Sequence, residues 1–492
     1  MMQNKPNVIR EFDEETIVSL FGTEAAEDND LNRLKSFYVK NATHKKITAN
    51  IPIRILVGHK GIGKSAIFTI AQHEDEQNNR LTVSLHPDDI HELGKSGTDF
   101  HDMIRSWKEG LINVIATKVI DQLGQNSDSD TIKTGGKIIG KLTNFLAGTF
   151  KSAIDGKVNF DPSYRAIIDN YLGNNKIYVY IDDLDRGWEG RKEDITRISA
   201  LLNAIRDLTN ANPGLYIRIS LRSDVYYLVR TSDESTDKIE GSVVWHSWTH
   251  HDILLLLIKR IESFFGREFN VEANKNVSQH NLVHFLDPIF ERRYHGRGRW
   301  ENVETYKVLM SLIRKRPRDL VKLCTLAARH AADNGRNKIA DDDIQAILVE
   351  YSHGRIQDTV NEYRSELSDI HRLLLSMKPS QAERKEGKGY IYETPALTMK
   401  LRNIIQQGDL YFAGRRKAQP RNLINFLYKI NFITARKNVG DRIVRHYFEE
   451  AQYLNEQDFG YNWEIHPAFR WALSPDDPMQ QLNQVEILDT ED

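Results

Sequence analysis

Gly58, Gly63, Lys64 and Ser65 stand at the spacing G-x-x-x-x-G-K-[ST], the pattern that most restricts what this 492-residue chain can fold into. The β-branched residues Ile53, Ile55 and Val57 lead into it, and a helix-compatible run, Ala66 to His73, leads out. A strand, a glycine turn and a helix in that order make a loop whose backbone N–H groups can wrap a phosphate. Lys64 would then reach the β- and γ-phosphates of a nucleotide, and Ser65 would ligate Mg²⁺. The helix N-terminus adds its partial positive charge. Gly58, Gly61, Gly63, Lys64, Ser65 and Ala66 are the expected ATP contacts. The competing reading is a plain glycine turn.

A second motif follows about 120 residues later. The apolar run Ile177 to Ile181 ends in Asp182, Asp183, Leu184 and Asp185. Continuous hydrophobicity predicts a strand buried on both faces, as parallel strands are. Acids at its C-terminal end suit a hard cation and an attacking water. Asp182 would support Mg²⁺ through its water shell, and Asp183 would orient or deprotonate the water. Asp185 is a rival for the second role. A further strand, Leu215 to Leu221, ends at Arg222 and Ser223, where a polar group could touch the γ-phosphate. With Ile51–Val57, Arg80–Leu85 and Val243–Trp245, these strands alternate with helical spacing, which predicts a parallel α/β sheet.

The helical segments set the expected organisation. Residues 1–50 read as a helical lead-in, 51–248 as the core with a helical insertion at about 87–175, and 249–377 as a helical lid. Residues 389–474 read as a winged-helix-like domain, with a helix, a turn at Lys437–Gly440 and strands, and 475–492 as an acidic tail. In the insertion, Phe100, Ile104, Trp107, Leu111, Ile112 and Ile115 make one apolar helical stripe, Gly135–Ile154 reads as a helix pair, and Asn126–Thr134 as a loop. Lysine plus arginine minus aspartate plus glutamate is 67 − 69 = −2, so nucleic acid could be met only by a local patch. A single cysteine, Cys324, fits a reducing cytosol. No signal peptide is expected at Met1–Asp13, and no apolar run is long enough for a membrane helix.

Two basic stretches stand out. Pro317 in Arg314-Lys-Arg-Pro-Arg-Asp-Leu320 suits the first turn of a helix, placing Arg318 at its start, facing back toward a nucleotide. Between Tyr411 and His446 stand Arg415, Arg416, Lys417, Arg421, Lys429, Arg436, Lys437, Arg442 and Arg445, opposed within that window only by Asp441. Such a cluster suits DNA, an acidic protein partner or a solvated face.

These motifs together resemble the AAA+/STAND-type branch of P-loop ATPases, above all the KAP-like and origin-recognition-like ATPases of prokaryotes. Asp182-Asp183-Leu184-Asp185-Arg186 is similar to the acidic strand end of KAP proteins. Arg316-Pro317-Arg318-Asp319-Leu320 is similar to the second sensor motif of origin-recognition ATPases. Leu20 to Glu27 and Trp188 are similar to bacterial P-loop ATPases, some of them near anti-phage defence genes. The resemblance covers about Val8 to Tyr351 and, more weakly, the C-terminal region. It implies an α/β P-loop NTPase sheet with a helical lid and a C-terminal winged-helix-like domain, ATP and Mg²⁺ as ligands, and a homo-oligomer. It also implies Lys64, Asp183 and Arg318 as catalytic, with Ser65 and Asp182 on the metal, and the strand end at Arg222 adds that residue to the expected catalytic set. Asp183 stands where motors of this branch carry glutamate, which suits a slow switch. Arg186, Arg222 and Arg230 compete for the arginine finger. The expected function is a cytoplasmic, slowly hydrolysing ATP switch that controls a protein effector in anti-phage defence, with no membrane segment. The alternatives are a DNA-binding, origin-recognition-like loader, using Arg415, Arg416, Lys417, Arg421, Arg436, Lys437, Arg442 and Arg445, and a scaffold that hydrolyses nothing.

Overall fold

The computed structural model describes residues 9–23, 30–94, 99–125, 176–232, 234–296, 300–385, 389–439, 442–451, 454 and 460–474. The expected loop at 126–134, the helix pair at 135–154 and the tail at 475–492 lie outside them. The chain divides into two compact units. One comprises residues 42–58 and 67–245, the other residues 1–41, 59–66 and 246–492.

The first unit is built on a five-stranded sheet. Helices α1 (Glu14–Phe21) and α2 (Leu31–Phe37) precede it in sequence and belong to the other unit; α3 (Ala42–Ile47) opens this one. Strand β1 (Ile53–Gly58) leads to α4 (Lys64–Gln77) and β2 (Leu81–Leu85). Then come α5 (Phe100–Gln125), β3 (Ile177–Ile181), α6 (Lys192–Ala211), β4 (Leu215–Arg222), α7 (Ser223–Ser232) and β5 (Val243–Trp245). The strand order is β2-β3-β4-β1-β5, and every pairing is parallel. All five residues of β3 are buried, as its unbroken apolar run requires. Trp107, Leu111 and Ile115 of the α5 stripe enter the core, with Phe100, Ile104 and Ile112 packed at its margin. This is the α/β sheet the sequence implied.

A charge inside this sheet has a structural task. Arg218 lies mid-strand in β4 at 1% exposure. Its guanidinium donates to the carbonyls of Ala49 and Ile51, each at 2.8 Å. It fastens the segment entering β1 by supplying charged donors to two of its backbone carbonyls. Burial pushes its pKa down, and Tyr180 and Asp75 partly offset that.

The second unit has its own apolar core. Helix α8 (His250–Phe264) buries Ile253 through Ile258 without a break, so this stretch is apolar all round. Its start is a capping box: Asp252 N–H donates to Thr249 Oγ1 at 3.0 Å and Thr249 N–H to Asp252 Oδ2 at 3.4 Å. Helix α9 (Pro317–Asp333) begins at Pro317 and buries Leu320, Leu323, Leu326 and Ala327, with Cys324 among them. Helix α10 (Asp341–Tyr363) follows. The C-terminal part joins β6 (Ile391–Tyr392), α11 (Thr394–Gln406), α12 (Pro420–Lys429), β7 (Ile433–Val439), β8 (Arg442–His446), β9 (Asn462–Ile465) and α13 (Pro467–Leu473). Its sheet runs β8-β7-β9-β6, antiparallel throughout. Two helices followed by the β7–β8 hairpin form the winged-helix-like pattern. Among the described residues no helix is long and apolar enough to cross a membrane.

Candidate functional site

The candidate site has two parts, each within one unit. The first is the phosphate loop. Gly61 (φ +77°) and Gly63 (φ +100°) occupy the left-handed region, where a side chain is strained. A Cβ on Gly61 would also meet the Arg318 side chain at 3.0 Å. Lys64, Ser65 and Ala66 form the first turn of α4, whose N–H groups have no intrahelical acceptors. Lys64 Nζ donates back to the His59 carbonyl at 3.2 Å. Left-handed glycines, a helix N-terminus and a lysine reaching back to the His59 carbonyl fit a polyphosphate.

Groups of the same unit hold this loop from several sides. Arg318 N–H donates to the Gly61 carbonyl at 3.4 Å, so the start of α9 lies against the loop. Trp248 Nε1–H donates to the Ile62 carbonyl at 2.8 Å. Lys60 N–H donates to Glu362 Oε1 at 3.0 Å, and Arg316 bridges Glu362 Oε2 at 3.0 Å and the Lys60 carbonyl at 3.3 Å. His246 is fully buried beside Gly63, and burial, helped by Lys64, pushes it down to about 3. It is therefore neutral near pH 7.

Arg318 is thereby separated from its motif neighbours. Arg314 forms a forked pair with Asp319 at 2.7 and 2.9 Å, and Arg355 adds a bond at 2.6 Å. Burial opposes the Asp319 charge, but Arg314 and Arg355 outweigh it and hold the carboxyl far below its usual range. Arg314, Arg316 and Asp319 thus fix the start of α9, and Arg318 alone of this set is turned to the loop's glycine.

The second part lies at the C-terminal edge of the parallel sheet. Gly58 is paired with Arg222 across β1 and β4, and Ile181 with Ile219 across β3 and β4. The next residues are Asp182 and Ser220, and the Ser220 hydroxyl donates to Asp182 Oδ1. Asp183 N–H donates to the same oxygen at 2.9 Å. Two donors therefore orient the Asp182 carboxylate, and Oδ2 keeps acceptor capacity for a hydrated cation. Asp183 is exposed with φ +59°, a left-handed conformation that aspartate tolerates. Arg222 forks onto Asp224 at 3.0 and 2.6 Å and reaches Asp185 at 3.2 Å. Its guanidinium therefore braces the acidic turn. Ser220 was missed by the sequence reading: it is one small polar residue inside an apolar strand, and only the strand register sets it against Asp182.

The C-terminal patch is smaller than its composition suggests. Arg445 forks onto Glu464 at 2.6 and 3.0 Å, Arg470 binds Glu464 at 2.5 Å, and Arg436 lies 3.6 Å away. Arg436 and Arg445 are 7% exposed, so both are corrected from surface contacts to core ion pairs. Lys429 pairs with Glu366, and Lys417 with Asp409 at 2.8 Å. Exposed around α12 and the hairpin are Arg415, Arg416, Lys417, Arg421 and Lys437.

Comparison with known proteins gives three kinds of likeness. Residues 252–360 match the family described as FunZ-associated C-terminal helical domain. A transposon gamma-delta 80.3 kDa protein of Escherichia coli K12 is 22% identical over 395 residues, covering 74% of this chain and 54% of that protein. The chain thus spans about half the length of this curated relative. Among solved structures, the Aeropyrum pernix ORC2 protein in ADPNP–ADP complexes gives TM-score 0.40 at 10% identity, covering 96% of this chain and 98% of that one. The Aeropyrum pernix ORC1 protein in complex with DNA gives 0.36 at 11%, covering 97% and 100%. At these scores the fold assignment rests on the sheet order itself. None of these likenesses carries the expected effector or defence role.

Proposed function

We propose that the chain is an ATP-binding, slowly hydrolysing P-loop protein that couples nucleotide to a DNA-contacting C-terminal segment. The observation that carries the reading is the loop itself: left-handed Gly61 and Gly63, Lys64 at a helix N-terminus, and Arg318 bonded to the loop backbone. The working parts are the core (51–248), the helical lid (249–377) and the winged-helix-like domain (389–474).

ATP with Mg²⁺ supplies a transferable phosphoryl group and a divalent charge when bound. Lys64 and the N–H groups of the first α4 turn would neutralise phosphate oxygens, and the Ser65 hydroxyl would be a metal ligand. Asp182, oriented by Ser220, would support the metal's water shell. Asp183 is the favoured base because it is exposed at the strand end, next to Asp182. Arg222 braces this acidic turn, and Arg318 would report phosphate charge to α9. Arg415, Arg416, Arg421 and Lys437, ringing α12 and the hairpin, suit a phosphate backbone. With a slow base and a lid on the loop, the protein acts as a switch with its output on DNA, and its copies assemble into a homo-oligomer.

Calorimetric titration with Mg²⁺-ATP tests the ligand: wild type should bind, and Lys64→Ala should weaken binding at least tenfold. Fluorescence anisotropy with duplex DNA tests the output. Salt-sensitive binding supports it; equal anisotropy for wild type and a charge-reversed Arg415, Arg416, Arg421 variant contradicts it.

A further inference from the structure

Residues 59–61 are held by side chains and backbone from several elements, and part of the hold, on the His59 ring, comes from the C-terminal segment. His59 is 1% exposed, although it directly follows Gly58 in the motif. Its Nδ1 lies 2.7 Å from the Tyr363 hydroxyl, and its Nε2 meets the Glu449 carboxylate. The carboxylate can only accept, so Nε2 carries the hydrogen. Burial works against the Glu449 charge, yet the adjoining His59 ring holds the carboxyl down to about 2. Asn431 Nδ2 donates to both Glu449 oxygens, at 2.9 and 3.1 Å, and Asn431 Oδ1 accepts from Phe448 N–H at 3.2 Å.

The placement of these two residues gives the contact meaning. Asn431 sits in the turn between α12 and β7, and Glu449 lies just after β8. Asn431 therefore joins α12, which carries exposed Arg421, to the hairpin, which carries exposed Lys437, and Glu449 follows that hairpin. Asn431 also adopts φ +56°, a conformation suited to asparagine or glycine in a tight turn. A buried, charge-bearing hydrogen bond of this kind is strongly felt when one partner is removed, because the other is left without compensation.

We propose that Glu449 and Asn431 are positioning residues for the phosphate loop: through His59 they make the geometry of residues 59–61 depend on the seat of the α12–hairpin segment. By linkage, a ligand that resets the loop must act back on that segment with the same coupling factor. The proposal rests on the nucleotide-binding reading only for this ligand-linked half. The unliganded half stands on the contacts alone.

Hydrogen–deuterium exchange of the full chain separates the two. The variants are Glu449→Gln and Asn431→Gly, the second compatible with the left-handed backbone. The control is Glu450→Gln, whose carboxylate pairs with Lys315 away from His59. Without nucleotide, amides of residues 60–63 should exchange on the order of tenfold faster in both variants. The control and the β3 amides should match wild type. Unchanged loop exchange in a variant whose β3 amides stay protected overturns the proposal; if one variant unfolds, the other decides. With Mg²⁺ and a non-hydrolysable ATP analogue, wild type should gain protection in both the loop and residues 431–449. The variants should protect the loop only at on the order of tenfold higher analogue concentration, with no response at 431–449. A 431–449 response in the variants equal to wild type overturns the coupling. Absence of any analogue effect in wild type instead contradicts the nucleotide-binding reading, and the unliganded comparison still decides this proposal.

Discussion

The acidic strand end and the front of the phosphate loop are both polar sites at the ends of buried strands, but they are held in different ways. Asp182 is oriented by Ser220, and Asp185 by Arg222, separations of 38 and 37 residues. Neighbouring strands of one sheet supply both. His59 and Lys60 are held by Arg316, Glu362 and Tyr363, separations of 256 to 304 residues. Glu449 lies further still along the chain. A site braced by adjacent strands is fixed once the sheet forms. A site braced from the lid and the C-terminal segment is fixed only while those keep their seats, which is the arrangement a switch needs.

Breaking the braces of the second unit should give the largest effects. Asp319→Ala leaves Arg314 and Arg355 buried without the carboxylate they share, and Arg445→Ala removes the forked partner of buried Glu464, which then keeps only Arg470 and the more distant Arg436. Each should lower unfolding free energy in urea by about 3–5 kcal/mol, whereas Ser220→Ala at the strand end should cost only about 1–2 kcal/mol. Acid should sharpen the contrast next. Burial, with Arg314, keeps His466 neutral down to about 3, below its ordinary 6.5. The unfolded chain therefore binds this proton first, and stability falls as pH drops below 6.5. Burial opposes the Glu464 charge, but Arg445 and Arg470 hold it at about 2, below its ordinary 4.5. Its contribution, roughly 3 kcal/mol, is complete above pH 4.5 and is lost as pH falls toward 2. Thermal unfolding from pH 7 to 3 should show both losses, and Arg445→Ala should flatten the lower one.

Ser220→Ala makes a finer cut. It should reduce turnover by roughly tenfold while leaving the ATP dissociation constant unchanged, because it frees Asp182 without touching the loop. An equal loss of affinity would show that the two sites are not separable. The smallest effect belongs to the surface. Arg421→Ala should keep stability within about 0.5 kcal/mol and reduce the salt slope of duplex binding by about one. If Arg421→Ala unfolds the protein, the patch is structural after all.

What the sequence made legible follows the range of the forces involved. The strands were readable because continuous apolar runs need a two-sided burial that only a central parallel strand supplies. The glycine loop after β1 was readable because Gly61 and Gly63 serve a local backbone geometry. Ser220 was invisible because its meaning depends on strand register. Arg436 and Arg445 were misread for a related reason. Charge was counted between Tyr411 and His446, and the acid that neutralises both, Glu464, enters from β9 beyond that window. His59 resembled an ordinary variable position of the motif, because its partners come from α10 and the C-terminal segment.

The most direct test of the account is steady-state ATP hydrolysis by wild type, Lys64→Ala and Asp183→Asn, with and without duplex DNA. Slow turnover by wild type, abolished in both variants and altered by duplex, is the predicted result. Turnover that survives Lys64→Ala, or a wild type that neither binds nor hydrolyses ATP, would contradict it.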